Sequence, residues 1–291
     1  MAIKSTASRM PTVACVHIAH LPSSLRQPPD QQPAADDIRS LFGAARRVRA
    51  ELRMRPAYQP LRGKNLALLT ARPPGVESAL LQVAATQLGA RVALVRYVHR
   101  ADGQLRDVEA LAGTLGRMYD AIDCESLPEP VAQRIAGCAG LPVTEGLGSD
   151  RHRACALADL MTLHEQPLPP RAALSICLLG DADNPRARHF LAAARGIGFV
   201  VQPVDATFVA NATQPGRWTL WALGTKLDDA TRADNHLRLV QAVLLREIAG
   251  LRVSGTGPVG SPAARHWTSE SPSGPAHLGA AAPRHGGSTG S

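Results

Sequence analysis

The feature that most constrains the fold is a regular alternation of short apolar segments with longer amphipathic ones between residues 36 and 163. The short segments have the length of buried strands, and the longer ones repeat apolar residues at helical spacing. Strands separated by helices in this way form a parallel sheet covered on both faces, so the sequence predicts an α/β fold. The predicted strands are residues 65–70, 91–97, 121–124 and 142–145, and the predicted helices are residues 36–53, 77–88, 107–118, 129–139 and 151–163.

A second, shorter unit of the same kind follows a proline-rich break at residues 166–170. We expect two parallel-sheet domains, residues 35–165 and a shortened 166–250, between a flexible arm (1–34) and a disordered tail (251–291) that is rich in Gly, Ser, Pro and Ala. The predicted strands of the second unit are residues 174–179, 199–204 and 218–223, and its predicted helices are residues 185–195 and 229–248.

Composition and charge indicate the kind of core and argue against one class of partner. The chain of 291 residues is 45% hydrophobic but only 3% aromatic, which favours a core of Ala, Leu and Val with helices packed on sheets. The net charge is +8, yet the one dense basic run fits a solvated helix face, and no aromatic residues interleave with it. We therefore expect no nucleic-acid partner. The run consists of Arg46, Arg47, Arg49, Arg53 and Arg55.

Cysteines and apolar runs give no sign of a metal, a disulfide framework or a membrane span. The five cysteines include no C-x-x-C pair, so we interpret them as small buried residues in a reducing compartment. The histidines of the tail (His266, His277 and His285) are too scattered for a metal site. No apolar run approaches the roughly 20 residues that a membrane span needs, and residues 12–19 are too briefly apolar for a secretory signal. The prediction is a cytoplasmic protein without a metal.

Seven segments in one order resemble the aspartate/ornithine carbamoyltransferase family, and the ornithine branch most. They are collinear with the family and keep its spacing, and the similarity spans about two thirds of the chain. The segments are 61–69 (LRGKNLALL), 83–90 (VAATQLGA), 115–122 (LGRMYDAI), 140–143 (GLPV), 156–162 (ALADLMT), 180–184 (GDADN) and 234–239 (DNHLRL).

The resemblance implies a fold, a reaction and partners. Members of this family have two α/β domains per subunit and form a catalytic trimer whose neighbouring subunits share the active sites. They transfer the carbamoyl group of carbamoyl phosphate to an amino-acid amine, which for the ornithine branch places the protein in arginine biosynthesis. That chemistry needs arginines, helix N-terminal amides and a donor that polarises a carbonyl, and it needs no cofactor. The expected partners are therefore carbamoyl phosphate, an amino acid and two further copies of the chain.

The phosphate loop of the family, S-T-R-T-R, corresponds here to Pro74, Gly75, Val76, Glu77 and Ser78. Both arginines are replaced, and Glu77 brings a negative charge to the position of the phosphate. The resemblance makes residues 75 to 78 candidate substrate-binding positions, because a helix N-terminus still attracts an anion. The alternative is that this turn only begins a helix, with Pro74 and Glu77 as ordinary first-turn residues.

Further family positions are partly retained. A second family arginine corresponds to Glu125, and the H-P-x-Q motif corresponds to residues 152–155, which keep His152 but end in Cys155. The resemblance makes His152 the candidate catalytic residue and Asn184 a candidate contact to the amino acid. Alternatively, His152 is an ordinary helix-terminal histidine and Asn184 an N-cap before Pro185. Arg72, Arg151 and Arg153 lie near the same element ends and could restore positive potential.

Two functions remain in view from the sequence. One is a carbamoyltransferase that works through His152, Asn184 and the helix amides near residues 75–78, and the other is a non-catalytic paralogue that binds a ligand or a partner subunit. The losses of arginines and of the family's later loops favour the second. A nucleotide-binding protein ranks behind both, because residues 180–184 lack the G-x-G-x-x-G spacing.

Overall fold

The computed structural model describes residues 35–73, 75–98, 105–169, 172–214 and 217–248, all of which fall in one compact unit, Met1–Gly255. The predicted flexible arm and disordered tail lie outside the described residues, and so does Pro74.

The first sheet confirms the predicted α/β fold. Its four strands run parallel in the order β2-β1-β3-β4, with β1 at the centre. Helices connect the strands, as the alternation in the sequence predicts. The elements are α1 Ala35–Met54, β1 Asn65–Thr70, α2 Val76–Gln87, β2 Arg91–Arg96, α3 Leu105–Met118, β3 Ala121–Glu125, α4 Glu129–Cys138, β4 Val143–Thr144 and α5 Arg153–His164.

Strand β1 is apolar on both sides because both faces of the sheet are covered. Leu66 and Leu68 belong to a large core cluster with α1, α2 and α5, whereas Ala67 and Leu69 belong to a second cluster beneath α3 and α4. A continuous apolar run is the expected sequence of a strand in such a position. The carboxyl ends of β1, β3 and β4 therefore meet at one edge, where ligands bind in open parallel sheets.

The second sheet is mixed: it has a parallel part, as predicted, and an antiparallel part that the sequence did not predict. Its order is β6-β5-β7-β8-β9; β6 and β7 flank β5 in parallel, while β8 and β9 are antiparallel to their neighbours. Only two residues separate β7 from β8, too few for a parallel crossover. The elements are β5 Ser175–Gly180, α6 Pro185–Gly196, β6 Val200–Val201, β7 Phe208–Gln214, β8 Arg217–Ala222, β9 Thr225–Lys226 and α7 Asp229–Ile248.

Two strand predictions in this sheet need correction. Strand β7 was not predicted, because polar residues interrupt the alternating apolar pattern that begins with Phe208 and Ala210. Strand β6 is shorter than the predicted 199–204. Pro203 follows closely and has no N–H to donate to a sheet, which limits the pairing.

Helix α7 brings the end of the described chain back onto its first half. It packs against α5, α1 and α2, and the Nε2 of Gln241 donates to Gln87 (2.9 Å) and to the carbonyl of Ala84 (3.3 Å). Asn235 donates from Nδ2 to the Thr162 hydroxyl at 2.9 Å. These bonds fix α7 beside the two helices whose N-termini border the site. None of the described helices is long and apolar enough to cross a membrane.

Candidate functional site

A groove of about 1150 Å³ opens at the carboxyl edge of the first sheet. One wall comes from the ends of β1, β3 and β4, and the other from α6 and α7. Its position agrees with the rule that open α/β sheets bind ligands beyond the carboxyl ends of their strands. The charged side chains and histidines that line it are Arg72, Glu77, Glu125, Glu129, Glu145, Asp150, Arg151, His152, Arg153, Arg188, His189 and Glu247.

A carboxylate of the protein itself is hydrogen-bonded to the start of α2. Ser78 is fully buried and donates its hydroxyl to Oε2 of Glu125 at 2.5 Å, while the N–H of Gly75 donates to the same hydroxyl oxygen at 3.2 Å. A helix N-terminus favours negative charge, and here Glu125 supplies it from the end of β3. The position that resembles a phosphate loop is therefore already in contact with an anion.

The other residues of the predicted phosphate loop differ in their surroundings. Gly75 is the N-cap of α2 in an extended conformation, and Val76 is 87% exposed. Glu77 is half-buried and lines the groove. Its carboxylate adds a second negative charge near Glu125, which disfavours a phosphate dianion there.

His152 is the N-cap of α5, so the helix begins two residues later than predicted. Its Nδ1 accepts a hydrogen bond from the N–H of Ala154 at 3.1 Å. Burial first, and then the charges of Arg153, His189 and His236, lower the pKa of His152 from 6.5 to about 3. The imidazole is therefore neutral, and because Nδ1 accepts, the proton sits on Nε2. His152, which lines the groove, is therefore a neutral N–H donor.

Arginines and carboxylates share the groove. Arg72, Arg151 and Arg153, which the sequence placed near the element ends, line it together with Arg188 of α6. Glu129, Glu145, Asp150 and Glu247 line it as well, beside the two glutamates at α2. The positive potential that the arginines supply is thus offset, and the groove is not a simple anion site.

Asn184 caps the next helix. Its side-chain oxygen accepts the N–H of Arg186 at 2.9 Å, directly before Pro185 at the first turn of α6. This is the ordinary use of asparagine at a helix start. Pro185 lines the groove, whereas Asn184 is not among the residues that line it, and its side-chain oxygen is used as the helix cap.

A buried ion pair beside the groove was missed by the sequence reasoning. Asp159 of α5 is 0% exposed, and its Oδ2 accepts from Arg186 Nη2 at 2.7 Å and from Nε at 3.0 Å. The guanidinium of Arg186 also lies 4.7 Å from the centre of the Trp218 ring. An aspartate inside the continuously buried stretch of α5 is the signal that could have revealed it. Burial raises the pKa of Asp159, and the positive charge and hydrogen bonds of Arg186 partly counteract that rise.

Cys155, which stands at the family's glutamine position, is a buried thiol in the same region. Burial, and the nearby Asp159 carboxylate, raise its pKa to about 12. A thiol with that pKa is protonated at neutral pH and is a poor nucleophile. Among the residues that the structure describes, no group of three or more histidine, cysteine, aspartate or glutamate side chains could hold a metal ion.

Asp123, on the interior face of β3, makes the stability pH-dependent. Burial raises the pKa of its carboxyl from 3.8 to about 6, although Thr144 and the N–H of Leu147 donate to Oδ1 at 2.6 and 2.8 Å. The folded state therefore binds this proton more tightly than the unfolded state, so the free energy of unfolding should rise as the pH falls from about 6 towards 4. Urea unfolding across that range should show a flatter dependence for Asp123→Asn, whereas an unchanged slope would contradict the prediction.

Comparisons with known proteins agree with the resemblance. Residues 30–165 match the family model described as "Aspartate/ornithine carbamoyltransferase, carbamoyl-P binding domain". The chain is 29% identical over 166 residues to an ornithine carbamoyltransferase of Haemophilus influenzae (strain PittGG), which is 57% of this chain and 50% of that protein. It is 30% identical, with the same coverage, to one of Actinobacillus pleuropneumoniae serotype 5b. The chain thus spans about half the length of the curated relatives it matches.

Solved structures show the same fold. The ornithine carbamoyltransferase of Burkholderia thailandensis superposes with a TM-score of 0.59 at 18% identity, over 75% of this chain and 96% of that one. The enzyme of Pyrococcus furiosus gives a TM-score of 0.56, also at 18% identity, over 75% of this chain and 95% of that one. At these identities the likeness concerns the fold alone.

Proposed function

We propose that this chain is a divergent member of the aspartate/ornithine carbamoyltransferase family, that it binds carbamoyl phosphate and an amino acid in the groove, and that it transfers the carbamoyl group slowly. The observation that carries the proposal is the Nε2–H of His152, a neutral donor that lines the groove and keeps its proton at physiological pH.

In the proposed reaction an uncharged amine attacks the carbonyl carbon of carbamoyl phosphate. A new C–N bond forms, the C–O bond to phosphate breaks, and the amine proton leaves to solvent or to the departing phosphate. Negative charge develops on the carbonyl oxygen, and a fixed donor such as His152 stabilises it. Arg72, Arg151, Arg153 and Arg188 are the cations that line the groove and could neutralise the phosphate.

The glutamates at α2 explain why the proposed rate is low. Two unit charges at 4 Å interact by roughly 4 kcal/mol at the effective dielectric of a protein surface. Glu125, which contacts Ser78, and Glu77 both repel a phosphate dianion at this helix start. Helix amides alone contribute less than the arginines that the family places there.

A second candidate function is ligand binding without turnover, and the Ser78–Glu125 contact favours it. A carboxylate that already bonds to the buried hydroxyl at α2 occupies the place of a substrate anion. In that version the groove binds an amino acid or a partner subunit, and carbamoyl phosphate is excluded.

Phosphate release separates the two candidates. Purified full-length chain with carbamoyl phosphate should release phosphate above the spontaneous rate when ornithine is added, and more slowly or not at all with aspartate. Each amine is compared with its own no-protein control. If ornithine, aspartate and a panel of other primary amines all leave the rate at background, transfer is refuted and the binding function stands.

Replacing Glu125 with glutamine should strengthen carbamoyl phosphate binding by roughly ten-fold or more, because it removes one negative charge near the phosphate position while Ser78 keeps a hydrogen-bond acceptor. Calorimetric titration of both proteins measures the change. Glu145→Gln is a matched control, since Glu145 is an exposed acid after β4 that also lines the groove. An equal gain in affinity for both variants would show that the net charge of the groove, and not the position of Glu125, determines the binding of carbamoyl phosphate.

We also propose that the chain forms a homotrimer, is cytoplasmic, and divides into residues 35–165 and 166–250, on the strength of the family resemblance. Light scattering of the purified chain tests the trimer. A place in arginine biosynthesis remains a proposal as well, and one similar protein, from Pseudomonas putida, is named a catabolic ornithine carbamoyltransferase.

A further inference from the structure

Glu125 is a buried carboxylate at the border of the groove. Its side chain lines the groove at the end of β3, yet the residue is only 7% exposed. Its Oε2 accepts the hydroxyl of Ser78 at 2.5 Å, which occupies one of the roughly four lone-pair sites of an ionised carboxylate. The ion pairs among the described residues do not include Glu125. Glu125 is therefore an acceptor that no ion pair within this part of the chain neutralises.

The elements around Glu125 carry mostly acids. Glu77 on α2, Glu129 on α4 and Glu145 after β4 line the same groove, and Asp123 lies on the same face of β3. Burial, and in smaller part the charge of Glu125, raise the pKa of Asp123, so the two carboxyls act on each other. Burial lowers the pKa of the two histidines of the groove, His152 and His189. The remaining charged side chains of the groove are Arg72, Asp150, Arg151, Arg153, Arg188 and Glu247.

The start of α2 offers donors to an anion beside this carboxylate. The first N–H of α2 with an acceptor in the helix is that of Ala79, which donates to the carbonyl of Gly75 at 3.0 Å. The N–H groups of residues 76–78 therefore have no acceptor within the helix, as at other helix starts. Ser78 accepts the N–H of Gly75 and donates to Glu125, so the carboxylate adjoins this turn. An anion that accepts those N–H groups thus comes close to Glu125.

The charge of Glu125 discriminates between anions with and without a proton. A fully deprotonated oxyanion meets a like charge, which disfavours its binding in a partly buried site. An oxyanion that retains an O–H group can donate it to Glu125, and such a charge-assisted hydrogen bond is short and strong. The same carboxylate therefore repels one form and holds the other.

We propose that the site at the start of α2 selects oxyanions that carry a proton, with one ligand O–H donating to Glu125 and other ligand oxygens accepting N–H groups of residues 76–78. Hydrogen phosphate and singly protonated phosphate monoesters belong to this class, whereas sulfate has no proton at neutral pH and is excluded. The inference rests on the proposed binding of carbamoyl phosphate in the groove and deepens it, since Glu125 becomes the residue that determines which protonation state is bound.

Calorimetry of the full-length chain compares inorganic phosphate with sulfate at about pH 7 and equal ionic strength. Phosphate should bind at least roughly ten-fold more tightly, because a hydrogen bond to a charged group contributes more than a neutral one and sulfate has no proton to donate. Equal affinities overturn the proposal, and so does the absence of phosphate binding.

Glu125→Gln tests the residue itself. The amide is uncharged and can donate as well as accept, so sulfate should bind roughly ten-fold more tightly than to the wild type, and the preference for phosphate should fall to about two-fold or less. Glu145→Gln, the matched control, removes an exposed acid of the same groove and should leave the ratio of the two affinities unchanged. A preference that persists in a folded Glu125→Gln variant, as judged by circular dichroism, overturns the proposal.

The pH dependence of binding to the wild type gives an independent test. Phosphate monoesters lose their last proton near pH 6, so the affinity for carbamoyl phosphate should fall by roughly ten-fold between about pH 6 and pH 7.5. Inorganic phosphate keeps an O–H at both values and should change less. An affinity for carbamoyl phosphate that stays constant contradicts the proposal. Carbamoyl transfer without any preference for phosphate over sulfate would refute this inference alone, whereas the preference without transfer would refute only the transfer.

Discussion

Replacing Arg186 with leucine is expected to lower the free energy of unfolding by about 3 to 5 kcal/mol, because it leaves a buried carboxylate without its partner. Asp159 is 0% exposed and receives two hydrogen bonds from this one guanidinium. The leucine also removes the contact of Arg186 with the Trp218 ring, a smaller loss. Urea unfolding followed by circular dichroism at neutral pH measures the effect.

Two further variants isolate its cause. Arg188→Leu changes an exposed arginine of the same helix and should cost less than about 0.5 kcal/mol. Arg186→Leu combined with Asp159→Asn should recover much of the loss, since a neutral amide is far less costly to bury than an unpaired charge. A single Arg186→Leu variant as stable as Arg188→Leu would show that the pair contributes little.

The fold was predictable where packing follows the local pattern. The apolar stripe of α7 gave its bounds, 229–248, and the apolar run of β1 gave a central strand, because both elements bury the face that the sequence marks. The polar β7 could not be found in this way, and neither could the antiparallel direction of β8, whose span was predicted. The position of β7 depends on pairing with β5, a contact between residues distant in the chain, and β8 in turn pairs with β7.

The sequence predicts which residues stand at the site positions, but it does not predict which of their side chains contact each other. The sequence shows that Glu125 replaces a family arginine, yet not that Ser78, 47 residues earlier, donates to it. Likewise the ion pair joins Asp159 of α5 to Arg186 of α6, two residues that are 27 positions apart in the sequence. Such pairs arise only when α2, α5 and α6 are packed around the same strand ends, so composition and spacing cannot reveal them.

Substitution can separate the two roles of the His152 side chain, which are to cap the N-terminus of α5 and to donate the Nε2–H hydrogen bond. Asparagine at position 152 preserves the N-cap of α5, because its side-chain oxygen can accept the N–H of Ala154, but it removes the imidazole Nε2–H. We expect His152→Asn to lower kcat for carbamoyl transfer by about 10²- to 10³-fold, the usual loss for a donor to a developing oxyanion, with a smaller change in KM. The phosphate-release assay measures both constants.

The pH profile and the stability of the variants distinguish a donor from a helix cap. Since the pKa of His152 is lowered to about 3, its imidazole stays neutral above about pH 4, and its titration should produce no fall in rate between pH 7.5 and 5.5. An ordinary histidine, with a pKa near 6.5, would produce one. His152→Ala should match the asparagine variant in kcat but lose about 1 kcal/mol of stability with the cap. If His152→Asn retains the wild-type kcat, the imidazole is a cap alone and the carbonyl is polarised by another group.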